Sequence, residues 1–144
     1  MSDGLPRYFP CGEGKSYQLG RITLTFKASA ADTGNAYTLC EAVEPPDAGA
    51  GLHRHASYDE THIICEGLYE GRLGDETLRL SAGDIFFAPR GTPHSIKCLG
   101  PGTGRELMIS SPGGVFDAFI DEVVGNPAAD FRAIAAKYGI EFLS

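Results

Sequence analysis

Short segments of alternating apolar and polar residues dominate the first three quarters of the chain. In residues 21–27, R-I-T-L-T-F-K, every second side chain is apolar, as on a half-buried β-strand. Comparable segments, separated by turns rich in glycine and proline, cover residues 36–44, 60–67, 68–73, 77–80, 85–88, 94–99 and 105–110. Many short strands with such turns predict a β-sandwich or β-barrel.

Both ends of the chain depart from this pattern. Residues 1–20 are rich in glycine and proline and carry little periodicity, which predicts an arm with a short strand near Tyr17. In residues 115–139 the apolar side chains recur at helical spacing, which predicts two helices separated at Gly125. Their apolar faces are too large to leave in water, so we expect them to pack against the barrel or a second copy.

The histidines give the clearest chemical signal. His53 and His55 are separated by one residue, so both side chains point to the same face of a strand. Glu60 follows at a distance that allows a tight turn back to that face, and His94 arrives from a later strand. Three imidazoles and a carboxylate that converge on one point suit a divalent transition metal. The alternative is that Glu60 faces solvent and leaves a site of three histidines.

Two further side chains share a face with these ligands. His62 follows Glu60 by two residues and is either a base or substrate contact near the metal, or a neutral histidine bonded to a carbonyl group. Glu60 and His62 are therefore the catalytic candidates. Cys98 shares the face of His94 and is either a small apolar filler or a pocket thiol open to oxidation.

The spacing of these residues resembles the two sequence motifs of the cupin family. The first, H-x-H-x4-E-x6-G, is matched by His53, His55, Glu60 and Gly67, and the second, G-x5-P-x-G-x2-H, by Gly83, Pro89, Gly91 and His94. The resemblance extends from about residue 36 to residue 114. Two positions differ from the usual motif, because Asp47 replaces the opening glycine and Cys98 the closing asparagine. Neither is a metal ligand in the family.

This resemblance implies both a fold and an architecture. The expected fold is an all-β cupin jelly-roll, or double-stranded β-helix, with the barrel at residues 21–110. The short helical segment at 115–139 completes a single domain over residues 1–144. Many related single-domain cupins are dimers, so a homodimer is expected.

The resemblance also implies a function. The chain looks most like small quercetin-dioxygenase-like cupins, which suggests a metal-dependent dioxygenase with Glu60 as proton acceptor. The resemblance favours Fe(II), with Mn, Ni, Cu and Zn as alternatives. Ile64, Phe87 and Ile96 are expected to form an apolar surround that suits an aromatic or diketone substrate, bound to the metal through oxygen, better than a sugar.

Two other functions fit the same motifs, because fold does not fix function. One is a cyclase or isomerase that uses the metal as a Lewis acid and turns substrate over without O2. The other is a non-catalytic cupin that binds a small molecule tightly without turnover.

Composition limits the classes of partner and the cellular compartment that are expected. The chain has 144 residues, which indicates one domain, and a formal net charge of −7, which disfavours nucleic acid. It has no basic run and no apolar segment long enough to span a bilayer, so no membrane partner is expected. The N-terminal residues lack the pattern of a signal peptide, and the four cysteines form no C-x-x-C pair. These features predict a cytoplasmic protein with free thiols.

Overall fold

The structure, a computed structural model, describes residues 5–144. In chain order, this part of the protein forms β1 (Lys15–Leu19), β2 (Ile22–Ala28), α1 (Ala30–Thr33), β3 (Thr38–Glu44), β4 (His53–His55), β5 (Asp59–Glu66), β6 (Tyr69–Leu73), β7 (Glu76–Leu80), β8 (Ile85–Ala88), β9 (His94–Cys98), β10 (Gly104–Ser111), α2 (Val115–Gly125), α3 (Phe131–Lys137) and β11 (Ile140–Phe142). No helix among these combines the length and apolar character needed to cross a membrane.

The strands form two antiparallel sheets. The first has the order β1-β2-β3-β10-β5-β8 and the second the order β11-β4-β9-β6-β7. Strands distant in sequence lie side by side in both, as where β10 pairs with β3 on one edge and β5 on the other. The two facing sheets form the expected jelly roll, so the predicted all-β fold is confirmed.

Alternation along the strands decides which side chains face the interior. On β5, Glu60, His62 and Ile64 are buried, and the residues between them are only half-buried. On β9, His94 and Cys98 are buried, whereas Lys97 between them is exposed. The predicted register of both strands is therefore correct.

Two apolar clusters enclose the interior. The larger contains Leu24 of β2 and Tyr58, together with Phe116, Phe119 and Ile120 from one face of α2. Helix α2 thus packs against the barrel, which is one of the two expected outcomes for the C-terminal helices. The smaller cluster contains side chains of the second sheet and of β5 and β8: Ile64, Tyr69, Leu80, Phe86, Ala88, Ile96 and Cys98.

The short strand predicted near Tyr17 is present as β1, which pairs along its whole length with β2. Two other segments differ from the sequence-based expectation. The short helix α1 was not predicted; Ser29 caps it by accepting a hydrogen bond from Asp32 N. Strand β11 was not predicted, since three residues are too few to show a period.

Candidate metal centre

Strand β4 supplies two of the candidate ligands from only three residues. His53 and His55 are buried and Arg54 between them is exposed, as the period of two requires. The strand pairs with β11 on one side, and on the other His53 lies opposite His94 of β9. This single pairing brings three imidazoles from two strands together.

The segment before β4 is fixed by hydrogen bonds to β9. Asp47 N donates to Cys98 O at 2.8 Å, and Cys98 N donates to Ala48 O at 2.9 Å. Asp47 has a φ of 70°, a left-handed conformation that glycine tolerates best and that aspartate adopts more readily than most residues. The replacement of the usual motif glycine by Asp47 therefore preserves the turn that leads into the ligands. At Gly49, a Cβ would lie 2.0 Å from Ile96 O, so this close approach requires glycine.

The four candidate ligands meet inside the barrel. One potential ligand atom from each of His53, His55, Glu60 and His94 lies within 4.8 Å of all the others, and all four side chains are buried. Glu60 Oε1 is 3.4 Å from His94 Nε2 and 3.7 Å from His55 Nε2. Glu60 thus faces the histidines and not the solvent, in contrast to the alternative that the sequence left open.

Each of the three histidines presents the nitrogen that a metal would need. The Nδ1 atoms of His53, His55 and His94 lie 2.7, 3.2 and 2.9 Å from backbone carbonyl oxygens, which can only accept. Nδ1 therefore carries the proton and donates it, and Nε2 keeps its lone pair. The Nε2 atoms of His55 and His94 are buried with no hydrogen-bond partner in the described chain. Buried polar atoms are rarely left unpaired, so these two fit a metal ion that would accept their lone pairs.

The electrostatics keep the ligands in their metal-binding forms. Burial, reinforced by the neighbouring His94, lowers the pKa of His53 to about 4, and burial also lowers the pKa of His55. Burial would raise the pKa of Glu60, but the charge and hydrogen bond of His62 hold it well below its usual range. His53 and His55 are therefore neutral imidazoles beside a carboxylate, the protonation states that metal binding requires.

Aromatic rings fix the planes of two ligand imidazoles. Tyr58 stacks on His55 with ring centroids 4.0 Å apart and planes 10° apart. Phe142 of β11 stacks on His53 with centroids 5.2 Å apart. Neither aromatic was predicted from the sequence to belong to the site. Tyr58 is only three residues from His55 but stands in a turn without a period, and Phe142 reaches His53 only because β11 pairs with β4.

His62 lies beside the candidate ligands, as the first interpretation expected, and is not the carbonyl-bonded histidine of the second. Its Nε2 lies 2.7 Å from Glu60 Oε1 and its Nδ1 2.5 Å from Glu106 Oε1, so it bridges two carboxylates and is not bonded to a carbonyl group. Burial would lower the pKa of His62, but the charges of Glu106 and Glu60 raise it to about 10. Phe86 stacks on the ring at 4.5 Å. His62 therefore holds the same oxygen atom of Glu60, Oε1, that faces His55 and His94.

A further carboxyl group, that of Glu44, lies beside Glu106. Burial and the adjacent Glu106 raise the pKa of Glu44 to about 9, and Tyr69 donates to Glu44 at 2.7 Å. Neither Glu44 nor Glu106 was predicted from the sequence to belong to the site. The available signal was alternation, since Glu44 shares the inward face of β3 with Cys40 and Ala42.

A cavity of about 420 Å³ opens beside the candidate ligands. Its polar wall contains the side chains of His53, Glu60, His62, Glu44 and Glu106, and the rest is mainly apolar. The apolar part comes from several strands and from α2, and it includes Leu24, Ala42, Tyr58, Ile96, Met108, Phe116, Phe119 and Ile120. The site therefore has one polar end and an apolar body.

The expected apolar surround is only partly correct. Ile96 lines the cavity, but Ile64 packs in the smaller cluster, away from its wall. Phe87 was placed in the surround wrongly, because β8 turns it outward with 53% of its surface exposed, and Phe86 is the buried ring. Cys98 lies in the smaller cluster with its Sγ 3.5 Å from Gly102 O, which favours the apolar-filler interpretation.

Comparison with known proteins supports the motif assignment. Residues 41–110 match the family model of the cupin domain. An uncharacterized protein of Methanocaldococcus jannaschii is 33% identical over 75 residues, which make up 52% of this chain and 60% of that protein. The matched part thus spans about three fifths of that relative.

Solved structures share the fold at low sequence identity. KdgF from Halomonas sp. has a TM-score of 0.67 and 24% identity over 75% of this chain and 96% of its own. The polyketide cyclase RemF from Streptomyces resistomycificus has a TM-score of 0.65 and 20% identity over 74% and 80%. A predicted oxalate decarboxylase from Thermotoga maritima has a TM-score of 0.61 and 23% identity over 63% and 80%. At these identities the likeness concerns the fold alone.

Proposed function

Because residues 41–110 match the cupin domain and the chain has the cupin fold, we propose that this protein is a metal-dependent enzyme for a small, oxygen-chelating substrate. Dioxygenation is the leading reaction. The observation that carries the proposal is the pair of buried, unpartnered Nε2 atoms of His55 and His94, which face the Glu60 carboxylate. His53 completes the proposed ligand set.

The proposed division of labour follows from the surroundings of each group. His53, His55, Glu60 and His94 would hold one divalent transition metal, with Fe(II) favoured. Such an ion, when bound, stabilises an oxyanion on the substrate and allows O2 chemistry. Glu60 is the proposed proton acceptor, and His62 keeps its carboxylate in place.

The cavity supports an apolar, planar substrate. Its apolar walls exclude water from the polar end, which strengthens attraction between charged groups there. Phe116, Phe119 and Ile120 of α2 supply part of that wall, so the C-terminal helix helps to define the substrate space. A sugar would leave most of its hydroxyl groups unpaired against such a surface.

The test is to load the metal-free protein separately with Fe(II), Mn(II), Ni(II) and Zn(II) and to supply flavonols and β-diketones while O2 uptake is recorded. Uptake with a redox-active metal, and its loss in Glu60→Gln with metal still bound, is the expected result. Glu76→Gln, a substitution at an exposed residue, is the matched control. No metal binding by any form would contradict the proposal.

A second function follows from the same geometry. One of the fold's neighbours is described as a polyketide cyclase, and an apolar cavity beside a metal ion also suits a cyclisation or isomerisation in which the ion is a Lewis acid. Substrate loss at an equal rate without O2 would favour this alternative. Tight binding without turnover would identify a non-catalytic binding protein.

A further inference from the structure

Two carboxyl groups form a second polar surface in the cavity, separated from the metal ligands by His62. The imidazole of His62 bonds to Glu60 through Nε2 and to Glu106 through Nδ1, so the ring lies between the two carboxyl groups. Glu44 and Glu106 both line the cavity, and neither belongs to the group of candidate ligands. The mechanism proposed above gives neither residue a contact with substrate.

Glu106 has acceptor positions that the described chain fills only in part. Its side chain is completely buried, and its Oε2 has no hydrogen-bond partner among residues 5–144. A carboxylate can accept about four hydrogen bonds, and His62 uses one of these positions on Oε1. A proton carried by Glu44 would fill at most one more. A buried acceptor left open is costly, which points to a donor that enters with a ligand.

The neighbouring wall cannot supply that donor. Ala42, Ile96 and Met108 line the same cavity and carry no hydrogen-bond donor in their side chains. The hydroxyl group of Tyr69 donates its hydrogen bond to Glu44, not to Glu106. Apart from a proton on Glu44, a further donor to Glu106 must therefore come from whatever occupies the cavity.

We propose that Glu106, supported by Glu44, is a hydrogen-bond-accepting subsite that selects substrates with a hydroxyl group in addition to their metal-chelating oxygens. This inference rests on the proposed function, since the ligands His53, His55, Glu60 and His94 would anchor the chelating end. The substrate class is then a compact apolar ring with chelating oxygens at one side and a hydroxyl group at the other. A hydroxyl group fits better than an ammonium group, because the remaining wall is apolar and a full charge would be costly to desolvate there.

The experiment compares two ring compounds that differ by one hydroxyl group. Kojic acid and allomaltol both chelate metals through a ketone and an adjacent hydroxyl group, but only kojic acid carries a hydroxymethyl group. The Zn(II)-loaded protein is titrated with each by calorimetry, because Zn(II) supports no redox turnover. Kojic acid should bind about tenfold more tightly, the gain expected from a hydrogen bond to a buried carboxylate.

Two isosteric variants locate the effect. Glu106→Gln should reduce the preference for kojic acid to about threefold or less, because the charged acceptor is lost. Glu44→Gln should retain the preference, because the amide replaces a carboxyl group that is neutral at pH 7. Metal content and allomaltol affinity, measured in parallel, show whether either variant disturbs the chelating end.

The outcomes separate this subsite from the proposed function. Equal affinity of wild-type protein for both compounds would overturn the subsite and leave metal chelation intact. A preference that persists in Glu106→Gln would overturn the role of Glu106. Absence of metal-dependent binding of either compound would instead contradict the proposed function and the subsite with it.

Discussion

The Nδ1 atom of His62 lies 2.5 Å from Oε1 of Glu106, and both side chains are buried. On its other side the same imidazole lies 2.7 Å from Glu60. Since carboxylates at neutral pH can only accept, both ring nitrogens of His62 donate, and the ring carries a positive charge. This charge holds Glu60 ionised next to the candidate metal ligands.

The first prediction concerns the proton on that ring. Burial alone would lower the pKa of His62, and the charge of Glu106 is the largest influence that raises it, to about 10. Glu106→Gln removes the charge but retains the shape of the side chain, so the pKa of His62 should fall. NMR titration of the ring in metal-free protein measures it. An unchanged titration in Glu106→Gln would show that Glu60 alone maintains the charge.

The second prediction is that the metal-free protein loses stability as the pH rises from neutral to alkaline. The pKa of Glu44 rises on folding from 4.5 to about 9, so its stabilising effect is complete below pH 4.5 and disappears as the pH rises through 9. The pKa of His62 rises on folding from 6.5 to about 10, so its stabilising effect is likewise lost as the pH rises through 10. Urea denaturation from pH 6.5 to 9.5 should show falling stability, by at most about 1.4 kcal/mol per pH unit for each group.

Glu44→Gln should flatten this pH dependence, because an amide does not ionise. Glu76→Gln, at an exposed position on β7, is the matched control and should leave the slope unchanged. An equally steep slope in Glu44→Gln would mean that Glu44 is already ionised in the folded protein at neutral pH.

The third prediction separates ligands from the residue that orients them. His94→Ala removes a candidate ligand and should lower metal affinity by more than about 100-fold, whereas His62→Ala acts through Glu60 and should cost about 10-fold. The double variant His53→Ala, His55→Ala should bind no metal. Metal content by mass spectrometry and affinity by competition with a chelator provide the measurements. Full metal occupancy in the double variant would refute the site.

The fourth prediction tests whether β11 supports the ligands of β4. Phe142 stacks on His53, and β11 pairs with β4 along all three of its residues. Phe142→Ala should weaken packing around His53 and speed metal release several-fold, since a ligand held less firmly is lost more easily. Leu143→Ala, at an exposed neighbouring position, is the control. Equal release rates would show that β9 alone fixes β4.

The fifth prediction is the homodimer suggested by the resemblance to small cupins. Helix α2 packs its apolar face against the barrel and so buries Phe116, Phe119 and Ile120 within the chain. Light scattering at micromolar concentration should nevertheless give twice the mass of the chain. A single monomeric species would refute the prediction.

The sequence by itself determined the strand pattern, the register and the four candidate ligands. Alternation with a period of two is a local property, so the shared face of His53 and His55 followed from spacing, and the match to the two cupin motifs added Glu60 and His94. The same rule placed His62 and Cys98 inward. The two helices were readable because an apolar stripe at helical spacing is local too.

The tertiary structure alone decided which side chains from different strands meet. That Glu106 of β10 reaches His62 of β5, or that Phe142 of β11 covers His53 of β4, depends on pairings between segments more than 40 residues apart. That Phe86 and not Phe87 faces the interior depended likewise on the register of β8 against β5, which sets Phe86 opposite the buried His62. Burial and neighbouring charge then set the protonation of Glu44, His53 and His62, because these effects arise only when the chain excludes water and brings the groups together.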